Sequence, residues 1–274
     1  METKRHSTSF LRAFGSLWRH RELVWQLTWR DVVGRYRGSY AGLIWSLFNP
    51  VLMLAVFTFV FSVVFQARWA GGTGDKVEFA LVVFAGTIVH TLFAECVNRS
   101  PGLILTNANY VKKVVFPLEV LVWVTLGSAL FHAFVSVLVL LTFKVAIHSQ
   151  LQWTSLFLPL LLAPFVLLTA GISWFLAATG VYLRDVGQTT GLITMALLFL
   201  SPVFYPISAL PEEYRPLFFL NPLTFVIEQA REVLIWGRLP DWGGLGIYFI
   251  VGIAAAWAGF YWFQKTRKGF ADVL

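Results

Sequence analysis

Charge is scarce in this 274-residue chain: Asp, Glu, Lys and Arg make up 13% of it, against roughly 25% in ordinary soluble domains. Hydrophobic residues reach 58% and the mean hydropathy is +0.71. No water-soluble core could enclose that much apolar surface, so a freestanding soluble domain is excluded. Cysteine is nearly missing too. Cys96 stands alone, so no disulfide can close within one chain, no redox or zinc pattern exists, and small apolar packing is its expected role. The alternation of a membrane β-barrel, in segments of about 10 residues, is absent. Also absent are a G-x-x-x-x-G-K-[ST] phosphate loop, an H-E-x-x-H metal site, a G-x-S-x-G elbow and paired catalytic carboxylates. A membrane enzyme is thereby disfavoured, no metal site is expected, and any ATP that drives this chain must be bound by another polypeptide.

Long apolar runs take the place of those features. Stretches 41–66, 79–97, 118–147, 153–183, 187–207 and 244–264 are each expected to cross a bilayer, since a spanning helix needs about 20 mainly apolar residues. Backbone N–H and C=O groups find no partners in hydrocarbon, so the spans must be helical. The expected fold is an all-α polytopic membrane protein with six transmembrane helices. The first 40 or so residues carry mixed charge and no apolar run leading to a small-residue cleavage site, so no signal peptide is expected. Residues 1–40 are read as a cytoplasmic tail and interface helix, and 41–274 as the six-helix domain.

If the N-terminus is cytoplasmic and the spans alternate, only Arg68, Lys76, Lys144, Arg215, Arg231 and Arg238 of the 21 Lys and Arg residues fall outside. Asp75, Glu78, Glu212, Glu213, Glu228, Glu232 and Asp241 also fall outside. That bias predicts both termini in the cytoplasm. The net charge of +7 flanks spans and forms no single patch, so its partners are anionic membrane lipids and not nucleic acid.

The segment before the first span is amphipathic. At 100° per residue, Trp18, Glu22, Trp25, Trp29, Val32, Val33 and Tyr36 share one side, and Arg19, Arg30, Asp31, Gly34, Arg35 and Arg37 the other. This predicts a helix in the inner membrane interface with its tryptophans at headgroup depth. Leu23 and Leu27 fall on the polar side, which calls for a second protein surface to cover them.

Between the last two spans, the apolar run 217–227 is broken by Asn221-Pro222 and followed by Glu228, Arg231 and Glu232. It is too short to cross some 30 Å of hydrocarbon. Two short helices joined at Asn221-Pro222 are expected, dipping in from the outer side as a re-entrant hairpin over about 211–240 and lining an exit. Glu228 is spaced to attract Arg231. Span interiors offer few ionisable groups: His90, Glu95, His132 and Lys144, of which only His132 lies away from a span end. That scarcity counts against an ion-coupled carrier. The two three-span halves show no internal repeat, so a central two-fold pathway needs two copies of the chain.

Four stretches, in order, resemble the membrane subunit of ABC-2 type polysaccharide exporters, which handle O-antigens, capsules and teichoic acids. They are 29–50 (WRDVVGRYRGSYAGLIWSLFNP), 107–117 (NANYVKKVVFP), 183–188 (LRDVGQ) and 201–206 (SPVFYP) running into 221–224 (NPLT). The resemblance implies a homodimer paired with two separate ABC ATPase subunits, which hold the ATP and Mg; no cofactor is implied in this chain. It implies a bacterial inner-membrane location and a coupling loop over about 99–117 docked in a cleft of the ATPase. Its residues would include Asn107, Asn109, Tyr110, Lys112, Lys113, Phe116 and Pro117. The interface helix, with Leu23, Trp25, Leu27 and Trp29, would contact the same partner, and the hairpin bearing Asn221, Pro222, Glu228 and Arg231 would act as an outer gate.

Aromatic residues make up 17% of the chain, and apolar sugar faces stack on aromatic rings. Tyr40, Trp45 and Phe48 at the start of the first span and Phe199, Phe204 and Tyr205 in the fifth are candidate glycan-pathway residues. Arg35 and Arg37 are candidates for the pyrophosphate of a lipid-linked glycan, or for ordinary positive-inside residues. The expected function is ATP-driven export of a lipid-linked polysaccharide. Export of a small amphiphile or drug, which needs a closed hydrophobic pocket, is the alternative; an ATPase-independent lipid-linked-sugar flippase is a more distant one.

Overall fold

A computed structural model describes residues 10–66, 69, 76–113, 116–149 and 151–274 of the chain. Lys4 and Arg5 of the basic tail, and Arg68 and Asp75 of the first loop, lie outside the described residues. So do the side chains at 10–14, 76 and 112–113, among them Lys76, Lys112 and Lys113.

The described residues form helices joined by turns and contain no strand. Helices α1 (Phe10–Arg19) and α2 (Arg21–Arg35) precede the first span, α3 (Ile44–Phe57), which runs on as a π-helical turn to Val64. Then come α4 (Lys76–Arg99), the short α5 (Ala108–Lys113), α6 (Val120–His148), α7 (Leu158–Tyr182) and α8 (Val186–Leu200). The chain continues through α9 (Arg215–Leu220), α10 (Pro222–Arg231) with a π-helical extension to Trp236, α11 (Trp242–Thr266) and α12 (Phe270–Val273).

Five helices are long and apolar enough to cross a membrane: Ile44–Val64, Val77–Arg99, Val120–His148, Trp153–Tyr182 and Trp242–Val273. The chain is an integral membrane protein. The stretch expected to be the fifth span is a helix of 15 residues. At 1.5 Å per residue it is about 22 Å long, short of a hydrocarbon layer about 30 Å thick. It stops because Ser201 turns to extended backbone and Pro202 lacks the N–H to continue a ladder.

Helix α4 is the centre of the bundle, packed by α3, α6, α7, α8 and α10. The closest helix pair is α7 with α11. Gly171 and Gly259 face each other so tightly that a methyl on Gly259 would overlap the Gly171 carbonyl, and Gly252 lies against the Pro164 carbonyl. Small residues allow this approach, and van der Waals contact holds helices together where lipid removes the hydrophobic drive between them.

The α1 helix and the end of α11 meet at one end of the bundle. Arg267 donates to Glu119 Oε2 at 2.7 Å and to the Phe116 carbonyl at 2.8 Å, and Ser16 Oγ donates to Glu119 Oε1 at 3.2 Å. At the other end Lys144 Nζ donates to the carbonyls of Leu234 and Ile235, both at 2.8 Å. Thr154 Oγ1 donates to the Val233 carbonyl at 2.7 Å. These bonds satisfy carbonyls that the end of a helix leaves unpaired.

Candidate functional site

At the terminal end, α2 lies across α6 and α4. Leu27 is buried against Val120 and Val124, with Leu23, Val24 and Phe116 around them. The surface that covers Leu27 is therefore this chain's own α6, a correction to the expectation that another protein covers it. An apolar residue on the polar side of a helical wheel already has a partner when a neighbouring helix crosses there. Trp25 and Trp29 face outward, 70% and 48% exposed, and Trp29 meets the Phe131 ring edge-on at 6.4 Å.

The same side of α2 carries charge into the bundle. Asp31 accepts from both terminal nitrogens of Arg99, at 2.7 and 2.9 Å, and Arg35 is ion-paired with Glu95. Burial works against the Asp31 carboxylate, but the hydrogen bonds and charge of Arg99 outweigh it and hold its pKa below the ordinary value. Arg35 is thus already engaged, while Arg37 is exposed and forms no ion pair among the described residues. Asp31, Glu95 and Arg99 acting together were not legible beforehand, because 68 residues separate Asp31 from Arg99.

In the stretch 107–117, Asn107 closes a turn of 3-10 helix (Leu105–Asn107) and α5 follows. The Asn107 side chain donates to the Leu103 carbonyl at 2.9 Å. Tyr110 stacks on Phe116, 4.4 Å between centroids, and receives a hydrogen bond from Arg30 at 3.3 Å. Asn109 is exposed, and Pro117 half-buried. This short element is wedged between α2 and the C-terminal α12.

The six aromatics singled out in the sequence fall into two groups at opposite ends. Trp45 and Phe48 pack edge to face at 5.0 Å near the fully exposed Tyr40. At the hairpin end Phe199 packs on Phe204 at 5.8 Å, Phe204 on Phe61 at 6.3 Å, and Tyr205 donates to the Phe199 carbonyl. Phe61, which links this group to Phe57 and Phe79, went unnoticed because a phenylalanine in a span carries no signal of its own.

At the hairpin end α9 and α10 meet at Asn221. Its side chain accepts from the Leu223 N–H, capping α10 ahead of Pro222, and donates to the Leu200 carbonyl and Ser201 Oγ at 3.0 and 2.9 Å. Tyr248, well inside α11, donates to the Pro222 carbonyl at 2.7 Å. Arg231 is completely buried. It donates to the carbonyls of Val82 and Val203 and to Glu228, at 3.1, 2.8 and 2.8 Å, under the Trp69 ring at 4.5 Å. Gly86 makes room for it, since a Cβ there would lie 2.9 Å from the guanidinium.

Cavities open between the helices of the bundle. An apolar one of about 640 Å³ lies between α4, α6 and α7, and the exposed Phe134 and Phe249 among its walls leave it open at the side. A smaller one of about 210 Å³ lies between α2, α3, α4 and α6 and has walls that mix polar and apolar side chains. Among the described residues no group of three or more His, Cys, Asp and Glu is placed to hold a metal.

A family model for the ABC-2 type transporter matches residues 22–235. The chain belongs to the ABC-2 type transporter family. Among the relatives of this ABC-2 chain is an O-antigen export system permease protein RfbA of Myxococcus xanthus, 26% identical over 96% of this chain and the whole of the relative. The protein of the same name in Klebsiella pneumoniae is 26% identical over 92% and 95%. A polysialic acid transport protein KpsM of Escherichia coli is 24% identical over 77% and 81%.

Proposed function

We propose that this chain is the membrane-spanning permease subunit of an ATP-driven ABC exporter that moves lipid-linked polysaccharide, an O-antigen, capsule or similar glycan, across the bacterial inner membrane. The observation that carries the reading is the end-to-end match to permeases named for O-antigen export.

In this reading two copies assemble with two cytoplasmic ATPase subunits that hold ATP and Mg, and this chain carries no catalytic site. The broadly exposed apolar faces of α3 and α8 support a second copy as their cover. Both termini are cytoplasmic, residues 1–40 form the tail and interface helix, and 41–274 form the transport domain. The short α8 serves as the fifth of six crossings, completed by 201–206. Asn221, bonded to the end of α8 and next to a residue that α11 reaches from within, supports a re-entrant hairpin as the outer gate.

The stretch 107–117 docks on the ATPase, through Asn109, which is exposed, and through Lys112 and Lys113, whose side chains lie outside the described residues. Arg37, with Arg35 behind it, receives the pyrophosphate. Tyr40, Trp45 and Phe48 line the entry, and Phe199, Phe204 and Tyr205 the exit. Nucleotide-driven movement at 107–117 passes through Arg30 and Tyr110 to α2, and through Arg99 and Asp31 to α4.

Mass spectrometry of lipid extracts from cells depleted of the protein tests the function. A lipid-linked glycan should build up on the cytoplasmic side as its surface form disappears. Unchanged glycans, with no redundant exporter, would move the assignment to the small-amphiphile exporter.

A further inference from the structure

Helix α4 is mostly enclosed by its neighbours, yet one line along it is open. Thr87, Thr91, Glu95 and Asn98 recur at spacings of four, four and three, which places all four within about 80° of arc at 100° per residue. Thr91 and Asn98 are exposed and Thr87 and Glu95 half-buried, between buried residues such as Ile88, Val89, Leu92, Phe93, Cys96 and Val97. Polar side chains inside a span are costly wherever they meet hydrocarbon, so a polar stripe marks a surface that meets something else.

Thr87, Thr91 and Glu95 of the stripe form one wall of the 210 Å³ cavity, while Asn98 accepts from Thr194 of α8 at 3.1 Å. Asn49 of α3 and His132 and Ser136 of α6 stand opposite Thr87, Thr91 and Glu95. Several of these groups are only half used. Thr87 and Ser136 donate to carbonyls of their own helices and keep oxygen lone pairs free to accept. His132 Nε2 is buried without a hydrogen-bond partner.

We propose that this chamber between α2, α3, α4 and α6 binds a single sugar ring of the exported glycan through its hydroxyls, with Thr91, Asn49 and His132 as contacts. The inference rests on the polysaccharide reading above and deepens it. A lipid chain would leave the polar walls unpaired. A phosphate would meet the carboxylate of Glu95, whose pairing already offsets the charge of Arg35. A neutral polyol brings donors and acceptors together, as the mixed walls require. The volume lies below the roughly 300–1,000 Å³ of pockets for drug-sized ligands, which suits one ring and not an oligosaccharide. Arg37, exposed two residues from the chamber-lining Arg35, lies outside the chamber, so a pyrophosphate held at Arg37 would lead its attached sugar directly into it.

Binding to the full-length protein in lipid nanodiscs tests this with two probes. One is farnesyl pyrophosphate, and the other is the same lipid carrying galactose, mannose or N-acetylglucosamine. The unaltered protein should bind at least one sugar-bearing probe more tightly than the bare lipid. Thr91→Val, nearly isosteric, should cut that sugar-dependent gain by about three- to ten-fold, the effect of one hydrogen bond, and leave the bare probe unaffected. Asn49→Leu on a different helix should do the same, guarding against a variant that misfolds. A sugar that adds no affinity, or a gain that survives both variants, overturns the chamber while leaving the export reading in place. An unaltered protein that binds neither probe counts against the polysaccharide reading and overturns the chamber with it.

Discussion

Arg99 grips Asp31 with both terminal guanidinium nitrogens, at 2.7 and 2.9 Å, and so fastens a helix that runs across the end of the bundle to one that spans it. Paired geometry of this kind is stronger than a single contact and fixes orientation. Replacing Asp31 with Asn should loosen α2 by about 1–2 kcal/mol, discounted for partial exposure. Protease nicking between α2 and α3 in detergent should become faster. Arg99→Met should act the same way, and the double variant should be little worse than either one.

The same pair sets a pH dependence. Asp31 has a folded-state pKa below its ordinary value, so its contribution is present above the unfolded carboxylate value and is lost as the pH falls through the lowered folded one. A melting temperature followed from neutral to strongly acidic pH should include an acid-side decline that Asp31→Asn lacks. An identical decline in both proteins would remove the pair from the explanation.

Arg231 has no exposure at all, and its three acceptors belong to α4, α10 and the turn after α8. Arg231→Met should cost about 3–5 kcal/mol, because it strands the half-buried Glu228 carboxylate with nothing to pair with. Glu228→Gln added to that background should recover part of the loss. Arg231→Lys should not rescue, since a lysine cannot match the planar fork that reaches two carbonyls and a carboxylate. Cys96, the only cysteine and fully buried, provides the readout through a thiol-reactive dye during heating.

Lys144 closes the far end of the hairpin by capping Leu234 and Ile235. Lys144→Met should open that cap at about 1–3 kcal/mol. Hydrogen exchange should rise in 232–237 and in the turn Trp153–Phe157 just before α7, where Thr154 holds the Val233 carbonyl, and stay unchanged in α2.

Glycine positions in α11 should divide sharply. Gly259→Ala places a methyl against the Gly171 carbonyl and should cost about 1–3 kcal/mol as α7 and α11 are pushed apart. Gly246→Ala, with open space around it, should be tolerated or slightly stabilising, as alanine is in helices generally. Dye access to Cys96 on heating separates the two outcomes.

Apolar run length and the absence of competing motifs were enough, from the sequence, for an all-helical membrane chain, because hydrocarbon forbids unpaired backbone whatever the packing. The Asn221-Pro222 break and the Glu228–Arg231 pair were legible for the same local reason: a cap, a ring without an N–H, and a three-residue spacing act within one helical turn. Packing decided the rest. Leu27 finds its cover on α6, α8 ends at Leu200 well short of the end of its apolar run at 207, and Asp31 meets Arg99 across 68 residues of chain. The polar line Thr87, Thr91, Glu95 and Asn98 is written in the sequence, but only the neighbours of α4 decide that this face stays open while its other faces are closed. Burial and long-range pairing depend on which helices cross and at what depth, and single-helix periodicity contains neither.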